Sequence, residues 1–125
     1  MSKEKYEVYE QCLIIYLGEE VDHHRATQIK IETEEIMEKK FIKFIVFDFS
    51  RVKFMDSSGI GMIMGRYKKV QCFKGNVIVT GVKTTVDRIL RMSGLYKLVH
   101  VYSNVEEALG ALYTEGDYSH CEITC

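Results

Sequence analysis

Asp56-Ser57-Ser58-Gly59-Ile60-Gly61 is the stretch of this 125-residue chain whose residue types and spacing most invite chemistry. A β-rich pattern precedes it and a helical pattern follows. Side chains at a strand-to-helix turn sit at the carboxyl edge of a sheet, where functional groups collect. Three enzymatic signatures can be tested by spacing, and each is broken. A nucleophile elbow needs G-x-S-x-G, but Ser57 lacks flanking glycines and Asp56 stands where Ser58 would need the first one. A phosphate-binding loop needs Gly-Lys followed by Ser or Thr, and the nearest match, Gly65-Arg66-Tyr67, fails. A dinucleotide fingerprint needs G-x-G-x-x-G, and Met64 occupies the last position after Gly59 and Gly61.

What remains is a serine at the mouth of a helix. A phosphate there meets unpaired backbone N–H groups and the positive end of the helix dipole. Such a serine is a candidate phosphoacceptor, and modification would add about −1.5 to −2 charge. The same residues also read as plain helix caps, because Asp and Ser lead the N-cap preferences. Spacing alone does not choose between these readings, nor between Ser57 and Ser58.

Other reactive types carry weaker patterns. Asp22-His23-His24 invites a metal reading, but adjacent residues at a helix start diverge, and no His-x-x-x-His pair is present. His120-Cys121 and Cys125 resemble half of a zinc site, which would need His100 or Cys72 to complete it; a loose tail is the simpler reading. Cys12 and Cys72 fall on apolar patterns and read as core residues. Met64 and Met92 read as core or semi-core, whereas Met62 lies off the apolar stripe and reads as a contact residue. Gly61 and Gly65 flatten one helix face, either for packing on the sheet or for close approach of a partner. Arg66, Lys68 and Lys69 read as a solvated face, with Arg66 able to pair with an acidic partner residue.

The elements that position these residues follow from periodicity. Glu7 to Glu10 and Cys12 to Leu17 read as an antiparallel strand pair ended by Gly18. Asp22 caps a helix with Ala26, Ile29, Thr33, Ile36 and Met37 on one face. Ile42 to Phe49 is a strand whose near-continuous apolarity places it centrally, buried on both faces. From Ser58, Ile60, Ile63, Met64, Tyr67 and Val70 form the inward stripe of a second helix. Val77 to Val79 is a buried strand, and Thr84 to Met92 a helix stopped by Ser93-Gly94. Leu98 to Tyr102 is a last strand, and Ser103 or Asn104 caps a final helix. Strands alternating with helices imply a mainly parallel α/β sheet with right-handed crossovers.

Composition bounds the rest. Seventeen basic and 18 acidic residues leave a net charge of −1, so the basic excess of a nucleic-acid-binding domain is missing. A polybasic membrane tether is equally unsupported, and no apolar run approaches the ~20 residues that span a bilayer. The charged start, MSKEKYEVYEQ, has no apolar core of a secretory signal. A cytoplasmic protein with free thiols is the expectation.

Phe54-Met55-Asp56-Ser57-Ser58-Gly59-Ile60-Gly61, continuing through Gly65-Arg66-Tyr67-Lys68, closely resembles the signature of the STAS domain family. More narrowly it is similar to the anti-sigma factor antagonists, above all those of the sporulation type. Glu20-Val21-Asp22-His23-His24 resembles the stretch after that family's second strand, except that the family's Gly before the Glu falls on Glu19, with Gly18 preceding it. Met92-Ser93-Gly94-Leu95 resembles the turn after its third helix. The likeness runs from about residue 6 to 113, giving a STAS domain over 1–114 and a C-terminal tail over 115–125.

The resemblance implies a small mixed, mainly parallel sheet of about five strands, with about four helices mostly on one side. It implies a binding protein and not an enzyme, with no cofactor or metal of its own. The implied partner is an anti-sigma factor that is also a serine kinase of the GHKL type. Binding would free a sigma factor, sigma F for the sporulation type. The kinase would phosphorylate Ser57, and a PP2C-type phosphatase would reverse it. The contact surface is expected to include Asp22, His23, Asp56, Ser58, Gly59, Gly61, Met62, Arg66 and Ser93. A monomer is expected. Two alternatives stay open: a general-stress antagonist of the same mechanism, and a STAS module sensing a nucleotide or anion near Asp22, Ser57 and Ser93.

Overall fold

The computed structural model describes residues 3–113. Strands β1 (Lys5–Tyr9) and β2 (Cys12–Tyr16) form the expected antiparallel pair, turning at Glu10. Glu10 takes the left-handed conformation at φ 55°. The chain then alternates through β3 (Glu20–Val21), α1 (His23–Lys39), β4 (Phe44–Asp48), β5 (Phe54–Met55), α2 (Ser57–Gln71), β6 (Asn76–Thr80), α3 (Thr84–Met92), a single 3₁₀ turn at Leu95–Lys97, β7 (His100–Tyr102) and α4 (Val105–Leu112).

The main sheet has the order β1-β2-β4-β6-β7. Its last four strands are parallel, with Ile14, Val46, Ile78 and His100 in register across it. β4 is central and buried along its whole length, as its near-continuous apolarity requires, and the one charge, Asp48, accepts from Ser50 and Thr80. The alternation of side chains sorts the core into two layers. Leu13, Ile15, Ile45, Phe47, Val77 and Val79 face one way, with Ile29 of α1, Ile63 of α2 and Leu90 of α3 in the same cluster. Ile14, Phe44, Val46 and Ile78 face the other way, where Ala108, Leu109 and Leu112 of α4 join them. Three helices therefore cover one face and one covers the other.

β3 and β5 form a separate two-stranded parallel sheet, pairing Glu20 with Phe54 and Val21 with Met55. Periodicity cannot detect strands of two residues. Two further expectations are corrected. Cys72 is exposed as the C-cap of α2, past Val70, the last residue that the helix buries. Met92 is 80% exposed as the last residue of α3, where Ser93 caps the helix and Gly94 turns left-handed at φ 81°. His120, Cys121 and Cys125 lie outside the described residues.

The candidate site at two helix N-termini

The small sheet brings two helix starts together. Val21 pairs with Met55, so Asp22 and Asp56 leave the paired strands side by side as the N-caps of α1 and α2. The Asp22 carboxylate accepts a hydrogen bond from the Arg25 backbone N–H at 2.9 Å, and that of Asp56 accepts from the Ser58 N–H at 2.9 Å. Each occupies a donor that the first helical turn leaves unpaired. The capping reading of Asp56 is thus correct, and it fixes both serines in the first turn of α2. At these two helix starts a side-chain contact crosses from α1 to α2: His23 Nδ1 lies 3.3 Å from Ser58 Oγ.

The two serines open onto different grooves. Ser57 is exposed and lines a cavity of about 410 Å³ between α2 and α3, with Ile60, Ile89, Met92, Thr85, Arg88 and Ser93. Ser58 is half-buried and lines a cavity of about 330 Å³ between α1 and α2, with His23, Thr27 and Lys30 among its walls. Ser93 also serves locally, donating to the Leu90 carbonyl at 2.8 Å and accepting from the Leu95 N–H at 3.2 Å. Phe54, 51% exposed on β5, adds an apolar surface two residues before Asp56.

Three residues expected at a partner surface turn inward. Met62 is only 4% exposed, because α2 is rotated from the expected stripe: Gly59, Met62, Ile63, Arg66 and Val70 are buried, whereas Ile60, Met64 and Tyr67 are half-buried. Arg66 is equally buried. Its guanidinium pairs with Glu34 of α1 at 2.9 Å, and Lys69 reaches the same carboxylate at 2.8 Å. Hydrogen bonds from Lys69 and Arg66 hold the Glu34 carboxyl below the usual carboxylate range. Arg66 is thus an internal clamp of α1 on α2. Gly59 is buried as well, so close to β3 and β5 that a Cβ there would lie 2.5 Å from Met55 Sδ and 3.2 Å from Val21 Cγ1. The space around Gly61 and Gly65 is open within 4 Å of an added Cβ, so neither owes its place to packing on the sheet.

On α3 the charges are divided. Asp87 accepts from Tyr96 Oη at 2.6 Å and pairs with Arg91 at 3.2 Å. The bond from Tyr96, with help from Arg91, holds the Asp87 carboxyl low, and the Tyr96 hydroxyl is pushed up to about 12, mainly by burial. The Arg88 side chain makes no hydrogen bond or ion pair with any described residue. Periodicity gave no hint of Arg88 at this site, because the groove is built by two helices distant in sequence. The pairing of β3 with β5 did leave a trace, in the parallel runs Val21-Asp22-His23 and Met55-Asp56-Ser57. Among the described residues, no three His, Cys, Asp or Glu side chains gather to hold a metal. Nor is any described helix long and apolar enough to cross a membrane.

A five-stranded, mostly parallel sheet beside a capped Asp-Ser-Ser turn defines a small α/β domain. The STAS domain model matches residues 4–108, and the chain belongs to that family. It is 38% identical over 100 residues to an anti-sigma F factor antagonist of Paenibacillus polymyxa, covering 80% of this chain and 86% of that one. It is 26% identical over 92 residues to an anti-sigma-B factor antagonist of Listeria monocytogenes, covering 74% and 79% respectively. The structure of the Bacillus cell fate determinant SpoIIAA in its phosphorylated form aligns with a TM-score of 0.73 at 28% identity, covering 89% of this chain and all of that one.

Proposed function

We propose that this protein is an anti-sigma factor antagonist switched by phosphorylation at Ser57. In its unmodified form it binds an anti-sigma factor that is also a serine kinase of the GHKL type, and so releases a sigma factor. The higher identity to a sigma F antagonist than to a sigma-B one favours sigma F and sporulation. A PP2C-type phosphatase restores the unmodified form. The protein acts as a cytoplasmic monomer, without nucleic acid or cofactor of its own.

The observation that carries this reading is the placement of Ser57. It is exposed, in the first turn of α2, and opens onto an apolar-floored groove. A kinase can reach its hydroxyl, and a partner can bury the groove. The exposed neighbours His23, Gly61 and Ser93, with half-buried Asp22, Asp56 and Ser58, complete the proposed contact surface. In the transfer, Ser57 Oγ bonds the γ-phosphorus of ATP, the β–γ bridge breaks and ADP leaves. The hydroxyl proton passes to a base of the kinase, which also holds Mg²⁺.

The product is tolerated by the free protein, because the helix N-terminus favours an anion. It is not tolerated in the complex. Burying a phosphate beside Asp56 without new cationic partners costs several kcal/mol, and about 1.4 kcal/mol is already tenfold in affinity. The test is intact mass after incubation with Mg-ATP and the kinase-type anti-sigma factor of the same organism. One phosphoryl group on the wild type and none on Ser57→Ala supports the switch. No transfer to the wild type by an active kinase overturns it.

A further inference from the structure

We infer that Arg88 is the internal receptor of the Ser57 phosphate, and that on modification its side chain closes over the groove between α2 and α3. The inference rests on the phosphorylation of Ser57 proposed above and adds how the modified form is held.

Two observations carry it. First, Arg88 and Ser57 line the same cavity of about 410 Å³ from opposite helices. Second, Arg88 is the unengaged charge among the groups around it. Asp22 and Asp56 are occupied by helix N–H groups. Asp87 and Arg91 hold each other. Lys53 lies 3.9 Å from Glu19. His23 faces Ser58 in the neighbouring groove. Glu20 and Lys83 are exposed and line neither groove. Arg88 lines the groove and its side chain has no partner among the described residues.

A guanidinium presents a fork of donors that matches a phosphate bidentately. In the unmodified protein this fork has nothing to hold. Phosphoserine at 57 supplies the ligand on the facing wall. The guanidinium then crosses over Ile60, Ile89 and Met92, the apolar floor that a partner would otherwise bury. The switch therefore removes the docking groove as well as adding charge.

The test installs phosphoserine at position 57 during translation, so that it does not depend on any kinase. The second ionisation of the phosphate is followed by ³¹P NMR in the wild type, Arg88→Gln, Arg88→Lys and, as a control, Arg91→Gln. The expected result is a titration midpoint about half a pH unit lower in the wild type than in Arg88→Gln, roughly a threefold change in proton affinity. Arg88→Lys should recover part of the shift, and Arg91→Gln should match the wild type. The methyl signals of Ile89 and Met92 should move on phosphorylation in the wild type and stay in place in Arg88→Gln. Equal midpoints in the wild type and Arg88→Gln would overturn the inference. Such a result would leave the Ser57 switch intact, whereas failure of a kinase to modify Ser57 would leave the Arg88 contact standing.

Discussion

Ser57 and Ser58 are neighbours in the chain, yet one opens onto the groove of α2 with α3 and the other onto the groove of α1 with α2. Consecutive helical residues differ by about 100° in direction, and here that rotation separates an exposed hydroxyl from one held beside His23 at 3.3 Å. The two serines are therefore expected to behave differently. Ser57→Ala should abolish phosphoryl transfer, and Ser58→Ala should leave its stoichiometry at one group. Intact-mass measurement of both variants decides this. Transfer that survives in Ser57→Ala but not in Ser58→Ala would reverse the assignment.

The paired caps should contribute to stability independently of any partner. Asp56→Ala and Asp22→Ala each free a helix N–H that is now occupied at 2.9 Å. Each should cost about 1 kcal/mol, with Asn replacements costing less. Urea denaturation followed by far-ultraviolet circular dichroism reads both.

The Glu34 clamp predicts an acid limb in the stability curve. Its carboxyl is held low in the folded state by Lys69 and Arg66. The stabilisation is therefore fully present above the ordinary carboxylate value and lost as pH falls through the lower folded one. Glu34 is 37% exposed, so screening limits the contribution to about 1 kcal/mol. In Glu34→Gln that part of the acid-side loss should be missing. Arg66→Met, which removes the buried charge and keeps the volume, should destabilise less than Arg66→Ala. Unfolding free energies between pH 3 and 7, roughly the range over which carboxylates titrate, test both statements.

Gly75 is expected to be the least replaceable glycine. A Cβ there would lie 1.8 Å from the Lys43 carbonyl oxygen, a backbone atom that cannot swing away. Gly75→Ala should cost about 3 kcal/mol or more by forcing the α2–β6 turn from β4. Gly61→Ala, with open space around it, should leave stability unchanged or raise it slightly by favouring the helix. Thermal melts of the two variants side by side check the contrast.

Much of the fold was legible because it is local. The apolarity of Ile42 to Phe49 predicted a strand buried on both faces, and the structure has it at Phe44–Asp48. The Asp22 cap marked one helix start, Ser103 or Asn104 marked another that the structure assigns to Asn104, and Ser93-Gly94 marked a helix end. The Asp-Ser-Ser-Gly turn announced where the site lies. The site's internal geometry was not legible. Which face of α2 is inward depends on long-range partners: Arg66 can be buried only because Glu34 of another helix meets its charge. Met62 is carried inward by the same rotation. The small sheet of β3 and β5 is too short to show a period, yet its register sets the two caps side by side.

The sequence by itself determined the order of the longer elements, the Asp22 and Asp56 caps and the serine pair, because each depends on residues a few positions apart. Only the tertiary structure decided which serine meets which groove, and that Arg88 faces Ser57 unpaired. Those relations arise where separate helices pack on one sheet, and no local spacing encodes them.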